Sequence, residues 1–392
     1  MSTERSPRTS AARPATFASR KLITSSSSAT QPRLAPKPGP ATRRYTVVHV
    51  AAHPELGFYT LAGAPESPRE LIGEIREAEA MGLGAAFISE RFNIKEAATL
   101  SGAAAAVSDE IRIITGATNH NTRHPMVTAS YATTMHYLSG GRFTLGIGRG
   151  IPPMQDAYGI DRVTTAQMED FAQLMRRLWH GETIIGHDGP AGSWPVLRLD
   201  PDFDADIPLG LVAFGPNSLE LGGRLFDDVI LHTFFTDETV ERCVATVKTA
   251  AEQAGRDPDD VRVWSCFATI GDHIDEPLQL KKSVGRLATY LQAYGDLMVD
   301  TNRWDAAVLD AFRADEMVTG FRGAIDDKAT TAELEHIATL LPDEWLAPAA
   351  TGTADECAAA VRHQLALGAD AVILHGATPT QLRPVIDAYA NT

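Results

Sequence analysis

One stretch, residues 111–150 (IRIITGATNHNTRHPMVTASYATTMHYLSGGRFTLGIGRG), constrains this chain's fold more than any other. It opens on the β-branched run Ile111-Arg112-Ile113-Ile114-Thr115, which predicts a buried strand closed by Gly116. The polar cluster Thr118-Asn119-His120-Asn121-Thr122-Arg123-His124 follows, and Pro125 then opens a helix to about residue 138. Proline suits a first helical turn because the N–H it lacks would be unpaired there. Ser139-Gly140-Gly141 stops that helix, and residues 142–147 form a second apolar strand ending in Gly148-Arg149-Gly150. Strand, helix and strand in this order make a β–α–β unit whose strands are parallel. Both strands then end at one edge of the sheet, which sets the Asn/His/Arg loop beside the Gly-Arg-Gly loop. Parallel α/β folds bind their ligands at that edge.

The alternation continues in both directions. A strand at 56–61 precedes the capping box Ser67-Pro68-Arg69-Glu70 and a helix to residue 81. A strand at 85–89 leads into Glu90-Arg91-Phe92 and an alanine-rich helix over 95–107. Beyond Gly150, Met168, Phe171, Leu174, Met175 and Leu178 recur at helical spacing within 166–180 and form a core face. Residues 183–206 read as a hairpin insertion. A strand at 208–213 leads through Phe214-Gly215-Pro216-Asn217-Ser218 into a helix with Asn217 and Glu220 at capping spacing. Strands at 228–232 and 261–270 flank a helix at 238–254. Residues 274–350 interrupt the alternation with helical segments, including 287–298 and 330–340. Thr353-Ala354-Asp355-Glu356 caps a helix to residue 367, and a strand at 371–374 precedes His375-Gly376-Ala377-Thr378 and a last helix.

Met81-Gly82-Leu83-Gly84-Ala85-Ala86-Phe87-Ile88-Ser89 is echoed by Ala366-Leu367-Gly368-Ala369-Asp370-Ala371-Val372-Ile373-Leu374-His375. Each is a helix end, a glycine and a strand, as expected where one half-unit recurs around a closed sheet. Eight strands alternating with helices predict an α/β fold of the (β/α)8 TIM barrel type, a single domain over 45–392 with insertions near 183–206 and 274–350. The alternative, an open doubly wound sheet, calls for a glycine-rich phosphate turn after the first strand. Ala62-Gly63-Ala64-Pro65 is a poor version of one.

Composition narrows the function classes. With 44% hydrophobic residues the chain can bury a large core, yet no apolar run is long enough for a membrane helix. Cys243, Cys266 and Cys357 are odd in number and widely spaced, which argues against a disulfide framework and for a reducing cytoplasm. Residues 1–44 carry nine Lys/Arg against one acid; removing that +8 from the total of −15 leaves −23 on the remainder. So acidic a body does not suit nucleic acid. The basic Ser/Pro-rich extension 1–44 has no apolar period and is expected to be disordered. Its composition superficially matches a transit peptide, but an unstructured extension or an upstream start codon is the preferred reading.

At the strand tips stand Arg91, Arg123 and Arg149, three cations in an acidic body, which suggest an anionic ligand as readily as ordinary surface arginines. His120 and His124 lie four apart, but a residue before proline avoids the helical region, so a metal site is not expected. Gly215-Pro216-Asn217-Ser218 suits phosphate binding at a helix N-terminus, or is only a helix cap; His375-Gly376-Ala377-Thr378 competes for the same role.

GFYTLAG at 57–63, ISERF at 88–92, RHPMVTASYATTMHYLSGGRFTLGIGRG at 123–150, FGPNSLELGGRLFDDVI at 214–230 and LGADAVILHG at 367–376 resemble the luciferase-like monooxygenase superfamily, in particular its coenzyme F420-dependent oxidoreductases of actinobacterial type. The resemblance covers about residues 56–380. It implies a (β/α)8 barrel holding FMN or the deazaflavin F420 at the strand C-termini. The ring would lie against Thr115, Gly116, Ala117 and Thr118, often with a cis peptide, near Asn119, Arg123, Gly148 and Arg149. The cofactor phosphate would bind at Gly215, Pro216, Asn217 and Ser218.

The chain departs from its relatives in two places. Many carry an acid–His pair after the second strand, where this sequence has Glu90-Arg91. Sugar-phosphate dehydrogenases of the family place a carboxylate after the fourth-strand glycine loop, where Ile151-Pro152-Pro153 follows here, which disfavours a sugar phosphate. His120 and His232 remain for proton transfer, since imidazole titrates near neutrality. The resemblance thus implies a cytoplasmic, homodimeric F420-dependent oxidoreductase acting on a small molecule. An FMN-dependent monooxygenase and a flavin-binding barrel without turnover are the alternatives.

Overall fold

Eight parallel strands close into a barrel in the computed structural model, which describes residues 51–391 other than 64 and 93. The basic extension expected to be disordered lies outside the described residues. In chain order the strands are β1 (His53–Tyr59), β2 (Leu83–Ile88), β3 (Arg112–Thr115), β4 (Phe143–Ile147), β5 (Ile184–Gly189), β6 (Gly192–Leu197), β7 (Leu209–Val212), β8 (Asp228–Ile230), β9 (Arg262–Gly271), β10 (Ala349–Gly352) and β11 (Ala371–His375). The sheet runs β9-β11-β1-β2-β3-β4-β7-β8, and the parallel ladder from Asp228↔Arg262 to Ile230↔Trp264 closes it. That ladder removes both edges and with them the open-sheet alternative.

The inside is filled. Ala85, Phe87, Ile114, Ile230, Trp264, Cys266, Ala371 and Ile373 pack together, with Phe87 edge-on to Trp264 at 4.9 Å between ring centres. Towards the strand N-termini Asp228 accepts from Trp264 Nε1 at 2.7 Å and from Arg112 Nη2 at 2.8 Å. A packed barrel leaves only its C-terminal rim for ligands. Outside the sheet, the helix Thr165–Trp179 buries Met168, Phe171, Leu174, Met175 and Leu178, the face its periodicity predicts. Among the described residues no helix is long and apolar enough to cross a membrane.

Strands β5 and β6 form a separate antiparallel hairpin. The second insertion has its own core, in which Leu287, Leu291, Phe312, Leu334 and Trp345 pack with Phe234 from the barrel rim. Its main helix, Arg286–Asn302, kinks at Tyr294, whose backbone leaves the helical region (φ −157°, ψ 41°). The sequence reading missed β10. Its four residues, AATG, are too few and too small to show an alternating pattern, and they pair only with the end of β9, from Ala349↔Ala268 to Gly352↔Gly271.

Candidate active site at the barrel rim

The loop after β3 is fixed from both sides. Gly116 N–H donates to Ile88 O at 2.9 Å and Glu90 N–H to Ala117 O at 3.0 Å, tying it to the end of β2. Thr118 N–H donates to Gly146 O and Gly148 N–H to Thr118 O, both at 3.0 Å, tying it to β4. Thr115 Oγ1 adds a bond to Gly146 O at 2.7 Å and accepts from Gly146 N–H at 2.8 Å. A Cβ at Gly146 would run into the Thr115 carbonyl oxygen, so only glycine permits this approach. The Gly116–Ala117 peptide is cis, as the resemblance implied for the ring-binding segment. Ala117 and Asn119 keep partial exposure, and Asn119 Nδ2 donates to Gly148 O at 3.0 Å.

The three arginines expected at strand tips separate into different roles. Arg123 grips Glu90 through two bonds of 3.0 Å and also contacts Glu96; Thr118 Oγ1 donates to the same Glu90 carboxylate. The Glu90 side chain is 2% exposed. The Glu90–Arg123 pair therefore braces the loop, with Arg123's charge already opposed by two carboxylates. Arg91 donates to Gly63 O at 2.8 Å. Arg149 has no carboxylate partner among the described residues: it donates to Val163 O and Thr165 Oγ1 at 2.6 Å and to Ser218 Oγ at 3.3 Å.

Ser218 places that guanidinium against the first turn of the helix Pro216–Leu225. The expected cap at Asn217 does not form. Gly215 is the N-cap residue, Pro216 the first helical residue, and no side chain caps the turn. Pro216 sets the start one residue earlier than the Asn217/Glu220 spacing suggested. The turn is therefore open to an external acceptor at the positive end of the helix dipole. The rival loop after β11 is closed: Thr378 N–H donates to Gln381 Oε1 at 3.1 Å and Thr378 Oγ1 accepts from Gln381 N–H at 3.4 Å, a complete capping box.

The histidines also diverge. His124 caps the helix Pro125–Ser139 by accepting from Met126 N–H at 3.2 Å. His120 is 6% exposed, packs on Phe171 at 4.8 Å and leaves Nδ1 unpartnered; burial, with Arg149 adding to it, lowers its pKa to about 4. His232 is half-buried on the rim among Phe214, Tyr290 and Tyr294, with centroids at 4.6, 4.7 and 5.2 Å. Its Nδ1 faces Thr233 O at 3.0 Å and its Nε2 faces Tyr294 Oη at 2.9 Å, while burial lowers its pKa to about 4. Since a carbonyl only accepts, Nδ1 carries the proton and Nε2 accepts from the tyrosine hydroxyl. His120 and His232 thus stand after different strands, and of the two only His232 is hydrogen-bonded to another titratable side chain, Tyr294. No cluster of His, Cys, Asp and Glu among the described residues could hold a metal ion.

Sequence reasoning passed over Lys95, Lys282, Arg286, Tyr290 and Tyr294. The last three lie four residues apart on one helix, a spacing that marks a single face. The kink at Tyr294 still lets that residue reach His232.

The chain resembles 5,10-methylenetetrahydromethanopterin reductase of Methanolobus tindarius, with 27% identity over 303 residues, covering 76% of this chain and 86% of the relative. Among solved structures it resembles the coenzyme F420-dependent tetrahydromethanopterin reductase of Methanopyrus kandleri (TM-score 0.70, 20% identity, 85% of this chain and 97% of that one). It also resembles the oxygenating constituent of 3,6-diketocamphane monooxygenase from Pseudomonas putida, in complex with FMN (TM-score 0.57, 18% identity, 86% and 96%). The profile of one family, luciferase-like monooxygenase, matches residues 46–371, which takes in every barrel strand up to the first residue of β11. The chain belongs to the luciferase-like monooxygenase family.

Proposed function

We propose that the protein is an oxidoreductase that uses the deazaflavin coenzyme F420 to exchange hydride with a small organic substrate. The observation that carries this reading is the uncompensated Arg149 beside the uncapped first turn at Gly215–Ser218, a site suited to a cofactor phosphate. At Gly215 an added Cβ would approach only Leu297, at 4.0 Å, so the backbone there is open to a ligand. The braced segment 115–118 would support the ring. When bound, the deazaflavin supplies the hydride chemistry. The protein orients it and handles the accompanying proton. His232 is held neutral, and its Nε2 accepts from the Tyr294 hydroxyl and so orients that phenol at the rim. His120 is too enclosed to share that task.

The phosphate site alone would suit FMN as well, and a structural neighbour holds FMN. The methanopterin reductases among the relatives favour the deazaflavin. Purification from a deazaflavin-producing host followed by an absorbance spectrum tests the choice. A deazaflavin band with substrate turnover insensitive to oxygen supports the proposal. A flavin spectrum with oxygen consumption replaces it with the monooxygenase reading. Bound cofactor without turnover over a broad substrate panel leaves a binding protein.

The reading includes a homodimer. Val127, Tyr137 and Leu138 of the helix Pro125–Ser139 and Ile185 and Val196 of the hairpin are all exposed, and Trp194 of that hairpin touches His124 at the start of the same helix. Light scattering on the eluting protein gives the mass directly; a monomer would remove the dimer from the proposal.

A further inference from the structure

At the rim opposite the Arg149 site, three cations from two parts of the chain, the segment after β2 and the insertion, converge on the ends of β1 and β11. Lys95, in the segment after β2, is 6% exposed and donates to Thr60 O at 2.9 Å and Leu61 O at 3.3 Å. Lys282, in the insertion, donates to Gly376 O, next to His375. Arg286, one helical turn further on, pairs with Asp326 at 3.1 Å and lies 5.9 Å from the centre of the Tyr290 ring. Tyr59, in the inner layer, packs edge-on against His375 at 5.3 Å. β1 and β11 are hydrogen-bonded neighbours up to Phe58↔Leu374, so the carbonyls held by the two lysines follow the ends of adjacent strands.

Donors remain in excess. An ammonium has three N–H groups and a guanidinium five. The hydrogen bonds of Lys95 and Lys282 account for only part of theirs, and Arg286 Nε is buried with no partner. His375 Nδ1 is likewise buried and unpartnered. Asp326 opposes Arg286, and Glu74, the acid whose charge acts on Lys95, accepts from Leu61 N–H at 2.7 Å. The cations disfavour one another, so that burial, with neighbouring positive charge, lowers the Lys95 and Lys282 pKa values to about 8. A buried polar group left unmet is costly unless a ligand meets it.

We propose that Lys95, Lys282 and Arg286, grouped around His375, form a recognition site for an anionic group, a carboxylate or a phosphate, on the substrate. Calling the ligand a substrate rests on the oxidoreductase reading; the anion site itself does not. The site uses side chains of the insertion, and it lies across the rim from the loop that suits the cofactor phosphate. An anion there satisfies the spare lysine N–H groups and the Arg286 Nε–H together.

Calorimetric titration with inorganic phosphate tests this on the full chain, first without cofactor and then loaded with F420. Without cofactor the parent should bind phosphate at two sites, one removed by Arg149→Gln and the other by Arg286→Gln. Lys282→Gln, which loses one carbonyl contact and leaves Asp326 paired, should weaken the second site about tenfold, the loss expected for one hydrogen bond to a charged group. Melting temperatures verify that each variant is folded. After F420 loading the Arg286-dependent site should remain. A parent whose phosphate binding depends on Arg149 alone overturns the proposal. So does loss of the Arg286-dependent site on loading, which would assign the cluster to the cofactor's acidic tail. A protein that never binds F420 yet keeps the Arg286-dependent site refutes the functional reading and upholds the anion site.

Discussion

Replacing Arg149 by glutamine tests the cofactor site most directly. Unit charges about 4 Å apart attract by about 4 kcal/mol at an effective dielectric of about 20. A hydrogen bond to a charged group contributes roughly 1.5–3 kcal/mol net. Arg149 is partly exposed, so water screens part of this attraction, and the lower end applies. The expected loss is about 2 kcal/mol, about thirtyfold in Kd. Arg149 also holds Val163 O and Thr165 Oγ1 at 2.6 Å, so a small drop in melting temperature should accompany it. The assay is a fluorescence titration of F420 at low and high salt. Parent affinity should fall with salt, and the variant should respond less because one charge contact is gone. Arg123→Gln is the internal comparison. Its charge is opposed by Glu90 and Glu96, so it should cost stability and leave the salt dependence in place. Unchanged Kd and salt response in Arg149→Gln, in a folded protein, would refute the assignment of Arg149 to an anion.

Three further outcomes are expected. Ser218→Glu should abolish cofactor binding by setting a carboxylate at the open helix start, whereas Thr378→Glu, in a loop capped by Gln381, should lose far less; the opposite pattern in the same titration moves the phosphate to the loop after β11. Glu90→Gln should destabilise the fold by about 2 kcal/mol in urea unfolding, less than the ~3–5 kcal/mol of a wholly buried pair because Arg123 keeps Glu96, and a variant of parental stability would show that the brace is idle. His120 is neutral when folded, with its pKa lowered from 6.5 to about 4, so the unfolded chain alone takes up a proton between those values. Stability should therefore be full above about pH 6.5 and fall as the pH drops towards about 4, by roughly 3 kcal/mol for this group. His120→Gln should flatten that limb in unfolding curves taken at pH 7.5 and 5, and an unchanged slope would mean that His120 is protonated when folded.

The barrel was legible because its signals are local. Runs such as Ile111-Arg112-Ile113-Ile114-Thr115, glycines at helix ends and the 81–89/366–375 echo each specify one half-unit, and closure follows once eight accumulate. The site was legible only in part, because its roles depend on partners far apart in sequence. Arg123 and Arg149 look alike as arginines at loop ends. Glu90, 33 residues away, opposes one, and Ser218, 69 residues away, orients the other. At Asn217 the spacing to Glu220 was a genuine cap pattern, but Pro216 takes the first helical position and shifts the helix start. Where proline follows the cap residue, at Ser67/Glu70, or none is near, at Thr353/Glu356, the box formed as its spacing implies.

The insertion over 274–350 was read as an interruption, and its helical period was visible without its purpose. Arg286, Tyr290 and Tyr294 share a face in any helix, but sequence alone does not say whether that face meets solvent, its own core or the barrel. The structure settles it through two contacts, Tyr294 on His232 and Lys282 on the carbonyl of Gly376. These put the insertion's polar face over the ends of β8 and β11, while the β3, β4 and β7 loops carry the segment 115–118 and Arg149 beside the open helix start. The two halves of the rim thus draw on different parts of the chain. Sequence change within the insertion can alter what meets Arg286 and Lys282 without touching the Thr115–Gly146 contact or the helix start at Gly215. On the proposed function, that separation lets selectivity change without re-forming the loops assigned to the reactive ring.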